Sequence, residues 1–413
     1  MLPSLQAGIA DERDRALARE LSSGTARWYF QLAALLEMLA DRPVKDVAVR
    51  SVLLCGLYQL RHTRVPPHAA ISESVNTVRK LGRARAAGLV NAVLRRYQRE
   101  TDSCERQLAS SPVSLYAYPK WMIDAFAADW PDDFESLLAA GNERAPMWLR
   151  VNRRRGTTAS WSALLNEQTG MDVQGIPFVD SAVCPASPVP VHRLPGFEEG
   201  LVSVQDAGAQ LATPLMTLQA GMRVLDACAA PGGKACHMLE SADISLTCVD
   251  RDAARLERIE ENLQRLDLSA RIVHGDAADP ATWWDGTRYD RILLDVPCSA
   301  TGVVRRHPDI KLLRRADDVV TLAAQQLAML RAVWPLLAPG GRLLYSTCST
   351  LKAENAGVVE TFLAEDATAG ARALEAQWGR NSGPGRQILT GEAGMDGFYY
   401  SCLEATDMAR TPQ

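Results

Sequence analysis

"RVLDACAAPGGKACHMLESADISLTCVD", residues 223 to 250, joins two short apolar runs through a glycine loop and a helical stretch, and the second run ends on an acid. The runs "RVLDAC" (223–228) and "SLTCVD" (245–250) have the length and composition of buried strands. Further runs follow at the same rhythm: "ARIVHGD" (270–276), "DRILLDV" (290–296), "GRLLYSTC" (341–348) and "GFYYSCLE" (397–404). Strands that alternate with helical patterns predict an α/β domain over 206–413, Rossmann-like and doubly wound, with a mainly parallel mixed sheet covered on both faces.

The chain before this domain has a different character. Residues from about 11 to 140 read as helical: Val49, Val52, Leu53, Leu57 and Leu60 fall on one helical face, and Pro66 and Pro67 mark a turn. A domain over 1–140 is therefore expected to be all-helical. Between them, 141–205 is rich in proline and glycine, with a strand at Trp148 to Val151 and short extended runs in "GIPFVD" and "LVSVQD". This predicts a small α+β connecting module.

With 413 residues the chain is long enough for two or three domains with their own cores. It shows no run of about 18 apolar residues, and no basic segment leads into an apolar core at its start, so a cytoplasmic chain without a membrane span is expected. Nine cysteines without paired or His-linked spacing read as reduced thiols, and no metal site is expected. The net charge of −4 argues against a general polyanion binder. It is unevenly spread: from Arg61 to Arg106, ten basic residues face four acidic ones, a surplus of six that suits nucleic-acid phosphates as well as a solvated helical face.

Ligands of doubly wound sheets bind at the carboxyl ends of the strands. At the first such end stands the loop Cys228, Ala229, Ala230, Pro231, Gly232, Gly233 and Lys234, where the two glycines allow positive φ and close approach of backbone to a ligand. It is not a phosphate loop of the Walker type, since Cys228 takes the place of its first glycine and Ala235 that of its hydroxyl residue. Asp250 ends the second strand, where an acid accepts hydrogen bonds from ribose hydroxyls, and Asp276 ends the third. Either acid alone is equally a helix cap; with the loop they describe a nucleoside pocket. The fourth strand brings Asp295, Pro297 and Cys298 to the same edge, and the fifth brings Cys348. A lone buried cysteine is usually inert, as expected of Cys55 or Cys402. Two thiols and a carboxyl group beside a nucleoside suit addition of a thiolate to carbon 6 of a cytosine, with an acid at N3, so that carbon 5 becomes able to accept a methyl group. Position alone does not rank the two thiols.

The motifs "DACAAPGGK", "LLDVPCSATGVVRRHPDIK" and "YSTCSTLKAENAGVVETFL" together resemble those of the bacterial ribosomal RNA cytosine-5 methyltransferases of the RsmB (Sun/Fmu) family, and "GLYQLRHTRVPPHAAISESV" resembles that family's NusB-like RNA-binding domain. The resemblance implies a monomeric enzyme that uses S-adenosylmethionine to methylate carbon 5 of a cytosine of the position-967 class in 16S ribosomal RNA. It implies that Cys228 to Lys234, Asp250, Asp276 and Asp295 surround the cofactor, that Cys348 is the nucleophile, and that Cys298 helps release the product. It also implies that the family's first NusB-like helix has no counterpart ahead of "MLPSLQAGIADERD", and that Ala235 and Cys236 replace a pair that commonly bears hydroxyls. The target cytosine must be unpaired or flipped out. Arg305, Arg306, His307 and Lys311, beyond the catalytic loop, are expected to hold the flanking RNA backbone. A transfer RNA methyltransferase and a non-catalytic NusB-like RNA-binding factor are the rival readings.

Overall fold

The computed structural model describes residues 8–405; residues 1–7, which open "MLPSLQAGIADERD", and 406–413 lie outside the described residues. The chain forms two units, Met1–Glu143 with Val304–Arg314, and Arg144–Val303 with Arg315–Gln413. The expected connecting module and α/β domain thus share one unit. Eleven residues assigned to the α/β domain from sequence, Val304–Arg314, belong with the helices instead.

The first unit is helical, as its periodicity predicts. Helices Tyr29–Leu39, Val47–His62, Pro67–Lys80 and Ala87–Leu108 bury Leu32, Leu35, Leu53, Leu57, Val90 and Leu94 in one core. Val49, Val52, Leu53 and Leu57 all face that core, and Leu60 packs at its edge. Asp46 starts the second of these helices by accepting the backbone N–H groups of Ala48 and Val49.

The second unit contains two sheets. In the smaller one, β1 (Leu149–Val151), β2 (Val173–Ile176), β3 (Val179–Pro185) and β4 (Val202–Val204) run in the order β2-β3-β1-β4, all pairs antiparallel, beside the helix Thr158–Thr169. The larger sheet holds β5 (Arg223–Asp226), β6 (Ser245–Asp250), β7 (Arg271–His274), β8 (Tyr289–Asp295), β9 (Leu337–Thr347) and β13 (Phe398–Ala405). These are the six expected strands. Strands β9-β8-β5-β6-β7 are parallel neighbours, and β13 pairs antiparallel with β9. Three strands were not expected: β10 (Ala369–Arg372), β11 (Arg380–Ser382) and β12 (Gly385–Ile388) extend the β13 edge in antiparallel fashion. They are short and polar, with no apolar run to announce them.

By length and composition, the segment Ala316–Leu336 could cross a membrane. In the fold its helix, Ala316–Val333, covers the sheet: Met329, Leu330 and Val333 pack in one cluster with Leu294 and Tyr345. Asp317, Asp318 and Arg331 at its ends fit a water-facing side.

Candidate active site

β5 ends at Asp226, and the chain turns at once into the glycine loop. The Ala227 N–H donates to the Leu293 carbonyl on β8, and the Ala229 N–H to the Val249 carbonyl on β6. The loop is therefore stitched to both neighbouring strands. Gly232 has φ +95°, which a residue with a Cβ rarely adopts, and it allows the helix Gly233–Ser241 to start immediately. Gly233, expected to share this freedom, instead opens that helix.

Asp250 grips the loop while facing the cavity. It is 5% exposed, and its carboxylate accepts the N–H groups of Ala230 and Asp252, each at 3.1 Å. Arg255 donates to the Ala230 carbonyl at 2.5 Å, so the same residue is held from both sides. Asp276 accepts the Ala278 N–H at 2.8 Å, a turn cap, and still lines the cavity. Asp276 thus caps a turn where the sequence reading offered a helix cap, and it lines the cavity as well.

Beside them, Asp295 at the end of β8 has both oxygens engaged: Lys234 Nζ lies 2.6 Å from Oδ2 and the Ser346 hydroxyl donates to Oδ1 at 2.6 Å. Burial works against the charge of Lys234, but the adjacent Asp295 outweighs it and holds the ammonium above its ordinary value. The thiols of Cys298 and Cys348 stand 3.4 Å apart on the two adjacent loops. Cys298 is buried, and its pKa is pushed well above the ordinary thiol value by its hydrogen bond to Cys348 and by burial. The Gly302 N–H donates to the Cys348 carbonyl at 2.9 Å, and a Cβ at position 302 would sit 2.8 Å from that carbonyl oxygen, so only glycine permits this approach of the two loops.

These groups enclose a cavity of about 230 Å³ lined by Cys228, Ala230, Asp250, Asp276, Asp295, Cys298 and Cys348. Of the sequence-predicted loop residues, Ala229, Pro231, Gly232, Gly233 and Lys234 are not among those that line it. Three carboxylates and a backbone loop around one cavity fit the positive sulfonium, ribose hydroxyls and amino groups of S-adenosylmethionine. Among the described residues no cluster of His, Cys, Asp or Glu could hold a metal ion.

The expected RNA contacts need correction. Lys311 is 1% exposed, and its ammonium donates to the carbonyls of Arg27 and Ala117 and to the Asn142 side chain while lying 3.6 Å over the Tyr118 ring. Burial pushes its pKa well below the ordinary lysine value, with Arg27 adding to the effect. Arg305 is likewise buried, and its carbonyl accepts from Arg27. Both residues anchor the Val304–Arg314 segment inside the helical unit, so neither is available to a phosphate. His307 is exposed and Arg306 partly so.

Sequence reasoning missed four residues. Arg251 and Arg255 reach the cavity from just beyond Asp250, and Met329 reaches it from the covering helix. Asp226, 1% exposed, directly precedes the loop. Arg255 lies five positions after Asp250, a spacing that a search for basic residues near this strand-end acid would have found.

The description "16S rRNA methyltransferase RsmB/F" matches residues 213–404, the NusB family matches 2–99, and the ferredoxin-like domain of RsmF/B-like methyltransferases matches 118–192. The ribosomal RNA small subunit methyltransferase B of Pseudomonas putida is 49% identical over 399 residues, covering 95% of this chain and 91% of its own. The protein of the same name from Vibrio cholerae is 45% identical, covering 97% and 92%. Among solved structures, PH0851 aligns with a TM-score of 0.81 at 20% identity over 96% of this chain and 91% of its own, and a methyltransferase homolog from Pyrococcus horikoshii aligns at 0.63 and 23% over 71% and 99%. With this identity over nearly its whole length, and with the glycine loop, the strand-end acids and the paired thiols in one cavity, the chain belongs to the family of ribosomal RNA small subunit methyltransferase B.

Proposed function

We propose that the protein methylates carbon 5 of a cytosine of the position-967 class in 16S ribosomal RNA, in the cytoplasm, through a covalent adduct between Cys348 and carbon 6 of the base. The observation that carries this reading is the pair of thiols 3.4 Å apart in a cavity that also presents Asp250, Asp276 and Asp295. When bound, S-adenosylmethionine supplies the methyl group to carbon 5. The Cys348 thiolate forms a bond to carbon 6, and the electron pair displaced from the 5,6 double bond makes carbon 5 nucleophilic. Charge that develops at N3 is met by a proton passed from Lys234 through Asp295, whose 2.6 Å ion pair lies at that edge. After methylation a base takes the carbon 5 proton, the 5,6 double bond re-forms as the carbon–sulfur bond breaks, and N3 returns its proton through Asp295 to Lys234. The protonated Cys298 donates a hydrogen bond to the departing Cys348 sulfur, which stabilises the leaving thiolate. The two thiols thus have separate steps, one forming the bond and the other easing its rupture.

Cys348→Ala is expected to abolish both methylation and any covalent RNA complex. Cys298→Ala is expected to accumulate the methylated adduct and release it slowly. Incubation with RNA and S-adenosylmethionine followed by denaturing electrophoresis reads this directly. An RNA-linked band from Cys348→Ala and none from Cys298→Ala would reverse the roles. No band from any form of the protein, even with 5-fluorocytosine RNA that blocks elimination, would end the covalent reading.

A further inference from the structure

A buried carboxylate lies directly beneath the two thiol-bearing loops, and none of the steps above uses it. Glu354 is 0% exposed and follows Cys348 by six positions. Its Oε1 accepts the Ser299 N–H at 2.7 Å and the Gln326 amide at 3.2 Å. Its Oε2 accepts the Ser299 hydroxyl at 2.5 Å and the Ser349 hydroxyl at 2.7 Å. Ser299 is the residue after Cys298, and Ser349 the residue after Cys348. One carboxylate therefore holds both cysteine loops by their adjoining residues, with every acceptor position occupied.

The rest of the surroundings make this grip stiff. Gln326, from the covering helix, donates to the Pro297 carbonyl at 2.9 Å as well as to Glu354, so the residue before Cys298 is tied to the same point. The Tyr345 hydroxyl donates to the Glu354 backbone carbonyl at 2.7 Å. Ser299, Ser349, Gln326 and Glu354 are all 0% exposed, so no water competes for these bonds. A buried carboxylate is unfavourable unless its acceptor positions are hydrogen-bonded, as all four are here.

We propose that Glu354 is a positioning residue for the reaction, which sets the separation of Cys298 and Cys348 by clamping Ser299 and Ser349 to one carboxylate. The proposal rests on the roles given above to the two thiols, and adds what keeps them in register as the carbon–sulfur bond forms and breaks. Its chemistry is that of hydrogen-bond geometry. A glutamine at 354 can keep the clamp, because serine hydroxyls turn round to accept from its amide; an alanine cannot.

The test compares Glu354→Gln, Glu354→Ala and the pair Ser299→Ala with Ser349→Ala, the last keeping the glutamate and serving if Glu354→Ala does not fold. Two rates are measured: turnover of the RNA adduct in a single turnover, and closure of the Cys298–Cys348 disulfide by diamide, read as the linked peptide by mass spectrometry. Affinity for S-adenosylmethionine is followed by calorimetry. Expected is a loss of about tenfold or more in both rates for Glu354→Ala and for the serine pair, and a return to within about threefold of wild type in Glu354→Gln, with cofactor affinity unchanged throughout. Wild-type rates in the folded alanine variant or in the serine pair would overturn the proposal. So would a parallel loss of cofactor binding, which marks a general loss of structure, or a Glu354→Gln as impaired as Glu354→Ala, which marks charge and not positioning. If wild type forms no adduct, the covalent reading fails by itself, and the closure rates still decide the role of Glu354.

Discussion

Asp226 is the residue where burial and charge conflict most openly. It ends β5 with 1% exposure, and neither carboxylate oxygen has a well-formed hydrogen bond among the described residues. Burial raises its pKa from 3.8 to about 7, the negative charge of Asp295 adds to this, and Lys234 opposes it. Between those two values the folded chain holds a proton that the unfolded chain has already released. Stability contributed by this residue is therefore greatest below the lower value, falls as pH rises through the window, and levels off above the higher one, with a slope of at most about 1.4 kcal/mol per pH unit. Asp226→Asn is expected to flatten that decline, seen as a smaller change in the urea midpoint between pH 4 and pH 7. An identical pH profile in the variant would show that Asp226 ionises normally. The location of this acid next to the loop was plain from "RVLDAC"; its unsatisfied state was not, since it depends on which groups β6 and β8 bring around it.

At the scale of elements, the helix that follows the glycine loop is held by a strand of the other sheet. Arg150 on β1 is 1% exposed and donates to both oxygens of Glu240, at 2.8 and 2.7 Å, near the end of the helix Gly233–Ser241. The same guanidinium donates to the Gly233 carbonyl at 2.8 Å, at that helix's first residue, and to Gln205 at 2.5 Å. A planar fork with five donors suits such a junction, where lysine would reach only one partner. Removing one member of a buried pair leaves the other charge without compensation. Arg150→Met is accordingly expected to destabilise the fold by about 3–5 kcal/mol, and Arg150→Met with Glu240→Leu to recover most of that loss. The double variant should still bind S-adenosylmethionine more weakly, because the Gly233 carbonyl has lost its donor. Chemical denaturation and calorimetric titration check both halves; a double variant as unstable as the single one would refute the account. The strands and this helix were legible from periodicity, while a bond between residues 90 positions apart leaves no periodic trace.

On the scale of the whole molecule, the basic stretch from Arg61 to Arg106 divides into paired and open charges. Arg61 pairs with Glu105, Arg83 with Asp46, and Arg96 with Glu100. Arg79, Lys80 and Arg85 are exposed and, among the described residues, make no ion pair. Arg64, Arg95, Arg99 and Arg106 are likewise exposed and outside these pairs; Arg79, Lys80 and Arg85 are three open charges close together in sequence, free to meet phosphates. Replacing all three with alanine is expected to weaken RNA binding and to reduce the slope of log affinity against log salt by about two, the value for three lost contacts to a single strand. Cofactor affinity should not change. A salt slope equal to that of wild type would exclude this face from RNA binding. Deleting 1–140 would be a poorer test, since Val304–Arg314 would lose the unit in which Lys311 is buried.

The sequence by itself determined the positions of the six main strands, the helical nature of the first unit, and which residues stand at the strand ends: Cys228 to Lys234, Asp250, Asp276, Asp295, Cys298 and Cys348. Those readings rest on patterns a few residues long, and alternation of apolar and polar positions is imposed locally by the geometry of strands and helices. Tertiary structure alone decided that Lys311 and Arg305 point into a helical core, that Glu354 lies under both thiols, and that the two sulfurs approach to 3.4 Å. The physical reason is that burial and hydrogen bonding of a polar side chain are properties of its neighbours in space. For these residues the neighbours come from as far as 284 positions away in the chain, in the case of Lys311 and Arg27, where no local pattern records them.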